Sequence, residues 1–306
     1  MPVLSPVDVR SLLAEHGLHP SRALGQHFLV DPNTARRIAR LADVGAGDRV
    51  LEIGPGLGSL TLALAATGAE VHALELDRRL LPALESVVAD APGVSVEQGD
   101  ALEYDFAAGL GAGRPDDRGP DDRGPDDRGP DDRGPDDRGP DDRGWVCVSN
   151  LPYNVATTVV LRLLDEVPLV ERLLVMVQRE VGERLAAGPG SRVYGAVSVR
   201  IAYHAEAHVV GAVPPTVFLP RPKVDSALVR IDRRPAPAVD VGDPDAMFGL
   251  VRAGFAQRRK MLRRSLRGVL GDRVEAVLTG AGIDPALRAE ALGIEAWAAL
   301  AREAAS

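Results

Sequence analysis

The chain has 306 residues, 45% of them hydrophobic and 26% charged, with a net charge of −8, enough to bury one large core and a second small one. No apolar run approaches the roughly 18 residues that span a bilayer, and no charged segment followed by an apolar signal core opens the chain. The reading is a cytoplasmic protein without a membrane partner. The one cysteine, Cys147, can form no internal disulfide and makes no metal site by itself. It is read as inert core, and no metal is expected.

The charge is unevenly spread. From Arg114 to Arg143 the chain repeats Pro-Asp-Asp-Arg-Gly, holding 12 Asp and 7 Arg, with almost nothing able to enter a core. Such a segment is expected to be disordered. The remainder carries only −3, so its positive charge can cluster.

In chain order, Pro6 to Leu18 has amphipathic helical spacing. Arg22 to Asp31 alternates polar, glycine and aromatic residues without a period, the mark of a loop or arm that could also cap a sheet. Asp31-Pro32-Asn33 supplies a helix start, and Thr34 to Ala42 is apolar at helical spacing with Arg36, Arg37 and Arg40 outward.

Arg49 to Ile53 reads as a buried strand, Gly54-Pro55-Gly56-Leu57-Gly58-Ser59 as a glycine turn and Leu60 to Ala66 as a helix. This is the nucleotide-binding signature of a doubly wound sheet, because glycines let backbone approach a ligand and helix amides face it. Ser59 stands where the dinucleotide fingerprint wants a third glycine or an alanine, which favours a ligand without a pyrophosphate. Glu52 either orients a charged amine of that ligand through solvent or turns to water.

The second strand, Glu70 to Leu74, ends in Glu75, 21 residues beyond Gly54. A carboxylate at that spacing and at a strand end can grip the two hydroxyls of a ribose. Asp77 is expected to start the next helix. After a third strand, Val94 to Gln98, Asp100 either accepts from an adenine amino group or caps a turn. A fourth strand, Trp145 to Val148, delivers Ser149-Asn150-Leu151-Pro152-Tyr153-Asn154. An Asn side chain and a neighbouring carbonyl can accept both hydrogens of a planar amino group, Pro152 stiffens the backbone, and Tyr153 offers a ring for a base to stack on. Taken alone, these residues would serve equally as a strand-to-helix turn. Gly54, Glu75, Asp100 and Asn150, however, all fall at or just beyond the carboxyl ends of successive strands, where open α/β sheets bind ligands. The repeat joins the opposite edge, where an insert is tolerated.

Beyond this stretch, Leu161 to Leu164, Leu173 to Val177 and Gln178 to Leu185 read as helix, strand and helix start, with Arg179, Arg184 and Arg192 near Gly188-Pro189-Gly190 either reaching phosphates or standing as solvated charges, the latter being the default. Val217 to Pro222 reads as a loop and Val224 to Ile231 as a closing strand, with Arg221 and Lys223 as candidates for nucleic-acid backbone contact. Pro235 to Val239 has linker composition, and Asp243 to Ala305 is helical by period. Phe255 to Leu270 is expected to be one helix, with Phe255, Leu262, Leu266 and Val269 on one face. Its other face carries Arg259, Lys260, Arg263, Arg264 and Arg267 without an acid, the footprint of phosphate binding, with a non-functional charged helix as the lesser alternative.

Together, LGQHFLVDPN at 24–33, LEIGPGLGSLT at 51–61, LELD at 74–77, GDAL at 99–102 and SNLPYN at 149–154 resemble the small-subunit (16S) ribosomal RNA adenine dimethyltransferases. QREVGERL at 178–185, GPGSRVYGAVSV at 188–199, FLPRPKVDSALVRI at 218–231 and FAQRRKMLRRSL at 255–266 extend the resemblance from about residue 20 to the end, the repeat excepted. It implies an α/β, Rossmann-like methyltransferase domain over 1–234, interrupted by the repeat at 114–144, and a small all-helical RNA-binding domain over 235–306. It implies that S-adenosylmethionine contacts His27, Leu29, Gly54, Glu75, Asp100 and Asn150, and that Asn150, Leu151, Pro152 and Tyr153 surround the target adenine, with Phe218 as a second stacking ring. At position 27 many members have Asn where this chain has His. The implied activity is dimethylation of the N6 amino groups of two adjacent adenosines in an rRNA hairpin, by a monomer acting on 16S rRNA within the small subunit or its precursor. Three other readings stand beside it: a resistance-type methyltransferase of 23S rRNA, a non-catalytic ribosome assembly factor, and a nicotinamide-dependent oxidoreductase, the last disfavoured by the glycine spacing.

Overall fold

The computed structural model describes residues 2–111 and 144–306. The expectation of a disordered repeat falls outside the described residues. The main strands are β2 (Arg49–Ile53), β3 (Glu70–Glu75), β4 (Val94–Gln98), β5 (Trp145–Asn150), β6 (Val170–Gln178), β7 (Ala205–Val213) and β9 (Ser226–Arg233). They form a mostly parallel sheet in the order β4-β3-β2-β5-β6-β9-β7, while β1 (Phe28–Leu29) and β8 (Phe218–Leu219) make a two-stranded antiparallel ribbon. The Rossmann-like α/β expectation holds. No helix among the described residues is long and apolar enough to cross a membrane.

The described chain divides into two compact units. Among the described residues, the first comprises 2–111, 144–150, Val167–Glu171 and Val217–Pro220. Here β4, β3, β2 and β5 run parallel, and the strand order reverses at β2, flanked by β3 on one side and β5 on the other. That reversal is where such sheets open a crevice at the strands' carboxyl ends. Helix α1 (Pro6–Glu15) starts from a Ser5–Asp8 capping box with Pro6 in the first turn, and α2 (Pro32–Ala42) starts from Asp31, which accepts from Asn33 and Thr34, arrangements that satisfy the orphan amides of a first turn. Helix α3 (Ser59–Ala65) is buried throughout, and α4 (Leu81–Val88) and α5 (Phe106–Gly111) follow.

Two expectations are corrected in this unit. The arm is not wholly a loop, because Phe28 and Leu29 find a backbone partner some 190 residues away in Phe218 and Leu219, a pairing that no local period announces. Asp77 does not start α4, whose N-cap is Leu80. Its carboxylate instead accepts from Arg79 and from the Gln26 amide.

The second unit comprises Leu151–Glu166, Arg172–Thr216 and Arg221–Ser306. Strand β9 is its middle strand, antiparallel to both β6 and β7. Helices α6 (Ala156–Glu166), α7 (Arg179–Leu185) and α8 (Ala196–His204) belong to it; α8 and β7 were not anticipated from sequence. Arg179 and Arg184 pair with Glu183 and Glu180 one helical turn away, as solvated charges do. The tail forms α9 (Pro244–Ala256), α10 (Leu262–Ser265), α11 (Arg267–Leu270), α12 (Val274–Gly280) and α13 (Ile294–Ala305), packed around Trp297, Leu262, Leu266 and Leu278 together with Tyr194 and Tyr203.

The single helix expected over Phe255 to Leu270 is overturned. α9 ends at Ala256, residues 257–261 turn, and two short helices follow. Five cations at three- and four-residue spacing repel along a continuous helix, and the Leu262 amide is taken by the Leu287 carbonyl at 2.7 Å. Leu262 and Leu266 are buried as expected, but Val269 is 57% exposed. Arg258 is fully engaged, donating to the Tyr194 and Arg192 carbonyls at 2.7 and 2.6 Å and pairing with Glu290.

Candidate active site

The glycine turn leaves β2 with Gly54, Gly56 and Gly58 all at positive φ, 72°, 62° and 87°, a conformation that L side chains rarely adopt. At Gly56 the lack of a side chain matters twice, because an added Cβ would lie 3.0 Å from the Phe28 ring. The arm thus packs on the turn, with Phe28, Val30 and Leu57 in one apolar cluster with Val9 of α1.

Glu75 holds this edge together. One carboxylate oxygen accepts from the Gly56 amide at 2.9 Å and the other from the Asp77 amide at 2.8 Å, while its own carbonyl accepts from Gly99 at 3.0 Å. The turn after β2, the end of β3 and the turn carrying Asp100 are thereby fastened to one residue. Burial raises the Glu75 pKa against these hydrogen bonds. Asp100 caps its own turn, accepting from Leu102 at 2.8 Å. Asp77 is held down to about 2, first by its hydrogen bond to Arg79.

Glu52 does not turn to water. It is 1% exposed, its Oε2 has no hydrogen-bond partner among the described residues, and burial pushes its carboxyl up to about 8, with Glu75 adding to the rise and the Thr61 hydroxyl opposing it. Cys147 is buried and its thiol is raised to about 12 by desolvation, in keeping with inert core.

At the end of β5, the Asn150 amide nitrogen donates to the His27 carbonyl at 3.1 Å. A carbonyl partner fixes which end of the carboxamide is the donor, so Oδ1 is the end left as acceptor. His27 is itself anchored, its Nδ1–H donating to the Pro220 carbonyl at 2.6 Å. Ser149, given no role of its own from the sequence, accepts from the Ile53 amide at 2.9 Å and ties β5 to β2. Leu29 and Phe218 are 4% exposed, so neither presents an open side-chain face. Leu76, directly after Glu75, is 47% exposed.

In the second unit, the Leu151 amide donates to the Met176 carbonyl at 3.1 Å, and the Pro152 carbonyl accepts from Val155 and Ala156 at the start of α6. Tyr153 is half-buried, with its hydroxyl 2.7 Å from Ser226 Oγ. Arg221 and Lys223 are exposed, Lys223 at a cleft of about 450 Å³ shared with Gln178, Val224 and Asp225. Arg259, Lys260, Arg263, Arg264 and Arg267 are exposed too. Arg263 lies 4.0 Å from Glu275 and Arg267 3.2 Å from Asp272, so acids from the next turns reach a group that looked acid-free along the chain.

A family model described as ribosomal RNA adenine dimethylase matches residues 19–306. A relative from Cutibacterium acnes, named ribosomal RNA small subunit methyltransferase A, is 45% identical over 95% of this chain and 91% of its own length. One of the same name from Thermobifida fusca is 45% identical over 98% and 95%. Among solved structures, a dimethyladenosine transferase from Plasmodium falciparum superposes with a TM-score of 0.65 at 22% identity, covering 90% of this chain and 96% of that one. The 23S rRNA methyltransferase ErmE gives 0.61 at 25% identity, covering 91% and 100%.

Proposed function

The chain belongs to the ribosomal RNA adenine dimethylase family, and on that premise we propose that it dimethylates the N6 amino groups of two adjacent adenosines in a hairpin of 16S rRNA, using S-adenosylmethionine. The observation that carries the assignment of the site is the orientation of Asn150, whose amide nitrogen is spent on the His27 carbonyl.

The amino lone pair of adenine is delocalised into the ring, which makes the nitrogen a poor nucleophile. The Asn150 Oδ1 and the Leu151 carbonyl accept its two hydrogens and favour the nitrogen as it becomes tetrahedral, an interaction stronger in the transition state than in the ground state. Tyr153 stacks on the base once it leaves its helix, and Pro152 keeps the turn stiff. No general base is needed, since the nitrogen's proton is acidic after transfer and leaves to water. The second transfer uses the same two acceptors with one hydrogen, so the pocket admits one methyl group.

The residues present fit the cofactor. Three glycines at positive φ open the backbone of the turn, and Glu75 still has acceptor capacity for a ribose beside exposed Leu76. Buried Glu52 offers an unpartnered oxygen toward a cationic group. When bound, S-adenosylmethionine supplies an electrophilic methyl on a sulfonium. His27, Leu29, Gly54, Glu75, Asp100 and Asn150 are assigned to hold it, Leu29 through its backbone because its side chain is buried. Residues 1–234 are assigned to the chemistry and 235–306 to RNA binding, with Arg221, Lys223, Arg259, Lys260, Arg263, Arg264 and Arg267 meeting phosphates. The protein is read as a cytoplasmic monomer acting on the small subunit or its precursor.

The test is transfer of labelled methyl to unmodified small ribosomal subunits, large-subunit RNA and DNA in parallel, by wild type and Asn150→Ala. Dimethyladenosine in small-subunit RNA alone, lost in the variant, is the expected result. Label in large-subunit RNA refutes the substrate, and full activity in the variant refutes the site.

A further inference from the structure

Tyr153 carries a hydroxyl that stacking does not require, since phenylalanine offers a base the same ring face. That hydroxyl lies 2.7 Å from Ser226 Oγ, on a side chain with no exposed surface. Ser226 opens β9, where it is in register with Gln178 of β6 and with Val213 of β7. It is held on the middle strand of three, whereas Tyr153 lies in the turn that precedes α6. Burial raises the pKa of the Tyr153 hydroxyl, which keeps it protonated at neutral pH.

We propose that Ser226 is a positioning residue for methyl transfer: by binding the Tyr153 hydroxyl it fixes the plane of the ring on which the adenine stacks, and with it the angle at which the amino group meets Asn150 and Leu151. The proposal rests on the stacking role given to Tyr153 above. A tyrosine ring turns about two side-chain torsions, and a hydrogen bond at its far end restrains both. The restraint matters because a reacting atom displaced by about 1 Å can lose on the order of 10²-fold in rate. The second transfer is the more demanding of the two. The once-methylated amine has a single hydrogen to present and a methyl group to accommodate, so a loosened ring fails there first.

Wild type, Ser226→Ala, Tyr153→Phe and the double variant are compared on unmodified small ribosomal subunits, with nucleoside analysis separating monomethyl- from dimethyladenosine. Cofactor affinity and thermal unfolding are measured alongside. The expected result for Ser226→Ala is a kcat lower by about 10-fold, a larger monomethyl share and an unchanged KM for S-adenosylmethionine. The double variant should be no slower than Tyr153→Phe alone, because both changes remove one hydrogen bond. Wild-type kcat and product ratio in Ser226→Ala overturn the proposal. So do single effects that multiply in the double variant, or a loss of rate accounted for by unfolding at the assay temperature. Those outcomes leave the methyltransferase reading intact, whereas an inactive wild type overturns that reading and the proposal with it.

Discussion

Glu52→Gln should remove most of a pH dependence that the fold imposes on the cofactor-free protein. The Glu52 carboxyl is 1% exposed and titrates near pH 8 in the folded chain against an ordinary value of 4.5, chiefly through desolvation. Between those values the folded state holds a proton that the unfolded state has released, so stability falls as pH rises through this window. It is greatest below pH 4.5 for this group and its loss is complete above about 8. At about 1.4 kcal/mol per pH unit, the interval bounds the penalty at about 5 kcal/mol, of which about 3 kcal/mol falls between pH 5.5 and 8.5. Glutamine keeps the shape and carries no charge. Urea unfolding of both proteins at pH 5.5, 7 and 8.5, read as the difference between the curves, cancels the other titrating groups. The variant should gain on wild type by about 3 kcal/mol across the range, with Glu75, also raised by burial, leaving a smaller residual slope in both. A constant difference across pH would refute the buried, unpaired state of Glu52.

Gly56→Ala puts a side chain at φ 62° and a Cβ 3.0 Å from Phe28. It should cost about 1–2 kcal/mol and weaken cofactor binding by about 10-fold, checked by thermal unfolding and calorimetry. Arg258→Ala leaves the Tyr194 and Arg192 carbonyls and Glu290 without their shared donor and should destabilise by about 2–3 kcal/mol, seen as a lower urea midpoint. In RNA binding measured against salt, Lys260→Ala and Arg264→Ala should each reduce the slope by about 1. Arg267→Ala should reduce it less, because Asp272 already screens that charge.

The sequence by itself determined the strands and turns whose signals are local. Arg49–Ile53, the glycine turn and the carboxylate of Glu75 were legible because strand burial, positive φ and a 21-residue spacing are all written within a short stretch. Asn150-Leu151-Pro152-Tyr153 suggested its chemistry through residue types that can accept amino hydrogens and stack on a base, the role proposed for it above. What only the tertiary structure decided depends on partners far along the chain. Phe28 and Leu29 became a strand through Phe218 and Leu219, Asn150 received its orientation from His27, and His27 its anchor from Pro220. The tail helix broke because the Leu287 carbonyl claims the Leu262 amide, and Glu52 went neutral because β2 buries it. Periodicity reports which face of an element is apolar; it does not report which distant group will satisfy a given polar atom, and that choice sets the charge and direction of the side chains at the site.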